Sequence, residues 1–256
     1  MQGEFHGGGS SGPSGALDRR LPNFIMAQGN GIREPPFIAA FMHPPTLFKR
    51  SGASYPPARE DLTMKLGLSI GYSGAHLEVP VALVQRAEEL GYDSVWSAEA
   101  YGSDAITPLA FLAARTNRIK LGTGIMQLAA RTPANAAMSA ASIDAMSGGG
   151  RFIAGLGVSG PQIVEGWYGQ PWGKPYYRVK DYVAIMRKIF KREEPVTHEG
   201  REISLPYKGE GSAGLAKPLK SILHMNPDIP IYLATGGEAM VKLTAEIADG
   251  WLPMGF

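Results

Sequence analysis

Four short stretches of this chain bring together residue types suited to holding a ligand. Glu99 follows an apolar run in Trp96-Ser97-Ala98-Glu99. A carboxyl group desolvated at such a position can have a raised pKa and move a proton, or it can form a salt bridge or cap the loop Tyr101–Asp104. Within Ile119–Pro133, Gly122-Thr123-Gly124 removes side-chain bulk where a sheet interior normally holds Val or Ile. That suits the close approach of something flat, and equally a glycine bulge at a sheet rim. Thr123 and Gln127 can hydrogen-bond a ring edge or close the strand. Ser159-Gly160-Pro161-Gln162 reads as a strand-to-helix step with Pro161 at the first helical position. It leaves backbone N–H groups for a phosphate or a ring carbonyl, or forms a plain turn. Ala234-Thr235-Gly236-Gly237 precedes a helix beginning near Glu238, where backbone N–H groups and the helix dipole favour an anion. Taken alone it reads as a flexible turn.

These stretches fall where strands should end. From Lys65 onward apolar strands alternate with helical patterns, as in a parallel sheet built from βαβ units. The expected strands are Leu66–Tyr72, Ser94–Ala98, a third within Ile119–Pro133, Arg151–Val158, Ile229–Ala234 and Trp251–Met254. The expected helices are Pro80–Leu90, Pro108–Arg115, Pro133–Met146, Tyr177–Phe190 and Glu238–Ala248. Val79, Leu83, Ala87 and Leu90 should share the buried face of the first helix. Thr132 should cap the third. Val196–Asp228 is rich in turn signals and reads as an excursion over the sheet's C-terminal edge, with a short strand at Ile203–Leu205.

IKLGTGIMQLAARTPA, followed by RFIAGLGVSGPQIVEGWYG, resembles the luciferase-like oxidoreductase superfamily, and within it the branch that uses the deazaflavin coenzyme F420. The resemblance runs from about Met64 to the C-terminus. It implies an α/β fold, the (β/α)8 TIM barrel of the bacterial luciferase type, and a cis peptide between Gly124 and Ile125 forming a bulge behind the cofactor's ring. Ser159 and Gly160 carry over by position as cofactor contacts, and the phosphate region falls near Ala234–Gly237. The cofactor-binding set is therefore Thr123, Gly124, Ile125, Gln127, Ser159, Gly160, Ala234, Thr235, Gly236 and Gly237, with Glu99 as the catalytic candidate. Sugar-phosphate dehydrogenase relatives carry a histidine at the position of Glu99, so that substrate class is not implied. The resemblance implies hydride transfer between F420 and a small organic substrate, in an enzyme that commonly dimerises. An FMN-dependent luciferase-like monooxygenase is the alternative, and a truncated, non-catalytic remnant a second one. The likeness of SAEAYGSDA, GTGIMQLAARTPA and GVSGPQIVEGWYG to the deazaflavin branch favours F420.

Composition bounds the remaining classes. A net charge of +2 on 256 residues, without a basic run, argues against a nucleic-acid binder. The absence of cysteine rules out a disulfide framework and any Cys-ligated metal, and the five histidines lack metal-ligand spacing. No apolar run reaches spanning length, which points to a cytoplasmic protein without a membrane segment. Gly155, Gly157 and Gly160 satisfy a G-x-G-x-x-G pattern, but no acidic residue ends a following strand about 20 residues later, as a nicotinamide site requires. Residues 1–63, with GGGSSGPSG and repeated Pro-Pro pairs, read as a disordered or non-native extension ahead of a barrel domain at 64–256. About six strands are legible where the family barrel has eight, so the barrel is expected to be truncated, with two exposed sheet edges.

Overall fold

Apolar runs that are buried on both faces alternate with amphipathic stretches, and the backbone follows that alternation closely. In the computed structural model, residues 65–253 are described, together with the backbone of 38–40. The elements are β1 (Ile38–Ala40), β2 (Leu66–Gly71), α1 (Val81–Glu89), β3 (Ser94–Ser97), α2 (Ile106–Ala113), β4 (Lys120–Thr123), β5 (Met126–Gln127) and α3 (Pro133–Met146). They continue with β6 (Phe152–Gly157), α4 (Pro161–Val164), α5 (Pro175–Lys191), β7 (His198–Glu199), β8 (Ser204–Leu205), β9 (Ile231–Ala234), α6 (Glu238–Ile247) and β10 (Gly250–Trp251).

The main sheet runs β1-β2-β3-β4-β6-β9-β10, with β5 also paired to β6. Every pairing in it is parallel except β1 on β2, where Ile38 faces Leu68 and Ala40 faces Leu66. Parallel strands joined through helices make this the (β/α)-barrel type of sheet, as the resemblance implied. The third expected strand is two pieces, β4 and β5, separated by Gly124 and Ile125. The Val196–Asp228 excursion contains the antiparallel pair β7–β8, with the expected strand at Ile203–Leu205 observed as Ser204–Leu205. The last expected strand is seen at Gly250–Trp251, and Met254 lies outside the described residues. Residues 1–63 also lie outside them, apart from β1.

Two packed layers hold the sheet. On the outside, Val84, Leu109, Leu112, Ile143, Ile185 and Met186 from the helices close over Val95, Leu121, Phe152, Leu156 and Leu233. On the inside, Trp96, Ile153 and Leu252 pack together, with Ile125, Tyr232 and Ala234 partly buried against them. Helix α3 approaches closely because its buried face is largely alanine, at 136, 137, 140 and 141, and Thr132 caps it by accepting from the Asn135 N–H at 3.2 Å.

The buried face of α1 differs from the expected one. Ala87 is buried and Val79 partly buried as expected, but Leu83 and Leu90 are 37% and 61% exposed, and Val84 and Glu88 are buried in their place. The helix is rotated so that the Glu88 carboxyl can accept the N–H groups of Asn117, Arg118 and Ile119 at the start of β4. The same device recurs along the N-terminal edge of the sheet. Asp144 accepts the N–H groups of Arg151 and Phe152 before β6, and Asp249 accepts that of Ile231 in β9. Arg151 completes that edge by donating to the carbonyls of Thr116 and Ile119. Carboxyl groups thus lock the strand starts, leaving the strand ends to carry a site.

Candidate functional site

The C-terminal strand ends put Gly124, Ile125, Ser159, Gly160, Ala234, Gly236 and Gly237 on one edge of the sheet. β4, β5, β6 and β9 are neighbours there, in the register Gln127–Gly157–Ala234. Gly124 is exposed, Ile125 is half-buried, and the peptide between them is cis, as the resemblance implied. The turn is held from below by the Gly124 N–H donating to the Ser97 carbonyl at 2.7 Å. The Ile125 side chain lies over Gly157, where a Cβ would sit 2.9 Å from its Cδ1. Glycine at 157 is what lets that side chain fold across the strand end.

At the end of β9, Gly236 and Gly237 are exposed and a methyl group on either would stand in open space. Gly237 caps α6 with φ +76°, ψ 147°, backbone that an L side chain rarely adopts. The first N–H groups of α6 therefore lead from an uncluttered, glycine-lined corner. Ser159 is exposed with φ +60°, and Gly160 caps the short α4 with its carbonyl accepting from Ile163 and Val164. Both face the same edge as Gly124.

Two of the candidate hydroxyls are engaged within the fold. The Thr123 hydroxyl is fully buried and bridges β4 to β6, donating to the Gly155 carbonyl and accepting from the Gly155 N–H. It closes the strand, the second of its two readings. The Thr235 hydroxyl pairs with that of Thr244 at 2.6 Å, and the Thr235 carbonyl accepts from the Trp251 indole. Only the backbone that Thr235 leads into faces the open corner.

Glu99 is 6% exposed, and both carboxyl oxygens are occupied. One accepts from the Gln127 N–H at 2.7 Å and from Arg131 at 2.6 Å; the other accepts from the Ala105 N–H at 3.0 Å and from Arg131 at 2.9 Å. The geometry is that of a salt bridge plus a cap on the loop leading to α2, which was the structural reading of this residue. A carboxyl so fully bonded is poorly placed for proton transfer to a ligand. Burial lowers the Arg131 pKa, but its bonds to Glu99 outweigh this and hold it above the ordinary arginine value. Gln127 is 1% exposed; its amide N–H2 donates to the Glu99 carbonyl at 2.9 Å, and its Oε1 has no partner among the described residues.

Sequence reasoning did not single out Arg131, Ser97 or Tyr182. The Ser97 hydroxyl is buried at the end of β3, also without a partner among the described residues, beside a small hollow lined by Ile70, Gly71, Val79 and Pro108. Tyr182 on α5 donates to the Arg131 carbonyl at 3.0 Å, and burial pushes its phenol well above the usual range. Arg131 sits in the quoted motif just before the α3 cap, but its partner is 32 residues away, beyond the reach of local patterning. Of the aromatics near this edge, Tyr168 donates to the Ala100 carbonyl at 3.4 Å, Tyr72 stacks tilted on Tyr101 at 6.2 Å, and Trp167 is exposed. Among the described residues no cluster of three potential metal ligands exists, and no helix is long and apolar enough to cross a membrane.

A parallel sheet wrapped by helices, with glycine-rich strand ends gathered on one edge, places this chain in the (β/α)-barrel class. Within that class the luciferase-like monooxygenase family model matches residues 62–256, and the chain belongs to that family. A Mycobacterium tuberculosis protein, provisionally named as a coenzyme F420-dependent oxidoreductase, is 53% identical over 197 residues, covering 75% of this chain and 55% of the relative. The solved coenzyme F420-dependent tetrahydromethanopterin reductase of Methanopyrus kandleri superposes with a TM-score of 0.59 at 25% identity, covering 73% of this chain and 55% of that one. The solved monooxygenase RslO1 of Streptomyces bottropensis superposes with a TM-score of 0.51 at 26% identity, covering 60% of this chain and 46% of that one. The chain thus spans about half the length of these relatives.

Proposed function

We propose that this chain is an oxidoreductase moving a hydride between coenzyme F420 and a small organic substrate. What carries the reading is the 53% identity to the mycobacterial relative, across a stretch that includes the exposed Gly124–Ile125 strand end. The residues present fit such a group. Gly124 is exposed and a Cβ there would meet only Trp96 in ordinary contact, the corner at Gly236 and Gly237 is open, and Gln127 keeps a buried acceptor without a donor among the described residues. Bound there, the deazaflavin would supply the hydride chemistry.

The protein's part is to bind, orient and exclude water. Gly124 and Ile125 would seat the ring, with the Ile125 side chain covering Gly157. Ser159 and Gly160 would offer backbone to the ring's edge, and Ala234, Gly236 and Gly237 would receive the phosphate at the start of α6. Glu99 enters through the backbone it holds, at Gln127 and Ala105, and Thr123 and Thr235 through the strands they close. The reading also carries a homodimer in the cytoplasm, which gel filtration and cell fractionation test.

An FMN-dependent monooxygenase of the same family is the second reading; the likeness to RslO1 at 26% identity favours its monooxygenase part, and FMN is tested separately. The experiment is a titration of each cofactor into the protein, followed by fluorescence.

A further inference from the structure

Arg131 and Glu99 form the most heavily bonded ion pair among the described residues, and it lies at the strand ends, where function and not stability should dominate. Four hydrogen bonds converge on the Glu99 carboxyl, two from the Arg131 guanidinium and two from backbone N–H groups on different segments. One of those N–H groups belongs to Gln127 in β5, two residues beyond Ile125; the other belongs to Ala105, at the start of α2. The Glu99 carbonyl holds the Gln127 side-chain amide as well. Arg131 is itself fixed through its carbonyl by Tyr182. The exposed Gly124–Ile125 turn is therefore tied at its near end to β3, through the Ser97 carbonyl, and at its far end to this pair.

We propose that Arg131 is a positioning residue for the flat ligand: by holding both oxygens of Glu99 it fixes the Gln127 backbone, and so pre-forms the Gly124–Ile125 surface on which the ring rests. This rests on the cofactor reading above. The planar, five-donor fork of arginine suits the task because it can meet both carboxyl oxygens at once, with neither group left to rotate. The contact also explains the orientation of Gln127. Its donor side is committed to the Glu99 carbonyl, so its remaining acceptor is presented in one orientation only.

The test compares Arg131→Lys with Arg151→Lys, both in the full chain. Lysine at 131 keeps the charge but replaces two parallel bonds from separate nitrogens by contacts from a single rotatable ammonium. Arg151, buried at the opposite edge, holds the Thr116 and Ile119 carbonyls and serves as a control for stability loss alone. The first readout is the F420 dissociation constant, measured where both variants are fully folded by circular dichroism. The second is amide hydrogen exchange at Ala105 and Gln127 without cofactor. Positioning predicts F420 binding weakened at least tenfold in Arg131→Lys and within twofold of the parent in Arg151→Lys, with faster exchange at both amides only in the former. Glu99→Gln should behave as Arg131→Lys does, which covers the case where the lysine variant folds poorly. Unchanged affinity and exchange in folded Arg131→Lys would overturn the proposal. If the parent binds no F420, the cofactor reading fails, and the exchange comparison alone decides whether Arg131 holds this backbone.

Discussion

The Thr123 hydroxyl and the Gly155 backbone exchange two hydrogen bonds, each at 2.8 Å, so that a side chain completes the ladder between β4 and β6. A Cβ on Gly155 would collide with the Thr123 carbonyl itself. The two residues are thus mutually required. Replacing Thr123 by Val leaves a buried N–H and C=O unpaired and should destabilise the fold by about 1–3 kcal/mol. Gly155→Ala forces backbone apart and should cost at least as much. Denaturant melts of both variants check this, and a stable Gly155→Ala would contradict the packing described.

Gly124 behaves differently from its neighbour Gly122. A Cβ at 124 would meet only Trp96 atoms, at 3.6 and 3.7 Å, which is ordinary contact, whereas one at 122 would run into the Trp96 ring. Gly124→Val should therefore change stability by no more than about 0.5 kcal/mol, as exposed substitutions do. It should weaken F420 binding at least tenfold. Equal losses of stability and binding would show that this glycine serves packing.

At the other edge of the sheet, Glu88 sets a pH dependence. Burial raises its pKa, but the backbone N–H groups of Arg118, Ile119 and Asn117, with the Arg118 charge, more than offset this and bring it below the ordinary glutamate range. A folded-state pKa lower than the unfolded one gives stability that is complete above about pH 4.5 and is lost as pH falls through the lower value. Glu88→Gln should be less stable at pH 7 by about 1–3 kcal/mol and should show a flatter decline from pH 5 to pH 3. Urea midpoints across that range decide it, and parallel curves for the two proteins would exclude Glu88 as the source.

Gly237 joins the open corner to α6 with φ +76° and ψ 147°. Alanine there should cost about 1–3 kcal/mol through backbone strain alone, although its methyl meets nothing. Gly236→Ala, where φ is not positive, should leave stability intact and still reduce affinity for the phosphate-bearing cofactor. Loss of binding in neither variant would move the phosphate away from this corner.

How far the sequence went depends on the range of the interactions. Strands β2, β3, β6 and β9 and helix α3 were legible because apolar period, Thr132 and Pro133 are local signals. The Gly124–Ile125 turn was legible through family resemblance. The α1 face was misread because Glu88 turns inward to meet a loop 29 to 31 residues on. Glycine at 122 read as room for a ligand, and the structure fills that room with Trp96. The engagement of Glu99, Thr123 and Thr235 followed from partners that no local pattern announces, Arg131, Gly155 and Thr244.

Every proposed role above depends on a deazaflavin binding at the glycine-lined strand ends. Titration of the 256-residue chain with F420 and, separately, with FMN, followed by fluorescence quenching, measures it directly. F420 is expected to bind at least tenfold more tightly than FMN, a difference of about 1.4 kcal/mol. A tenfold preference for FMN, or no binding of either, would rule out a deazaflavin site at these strand ends.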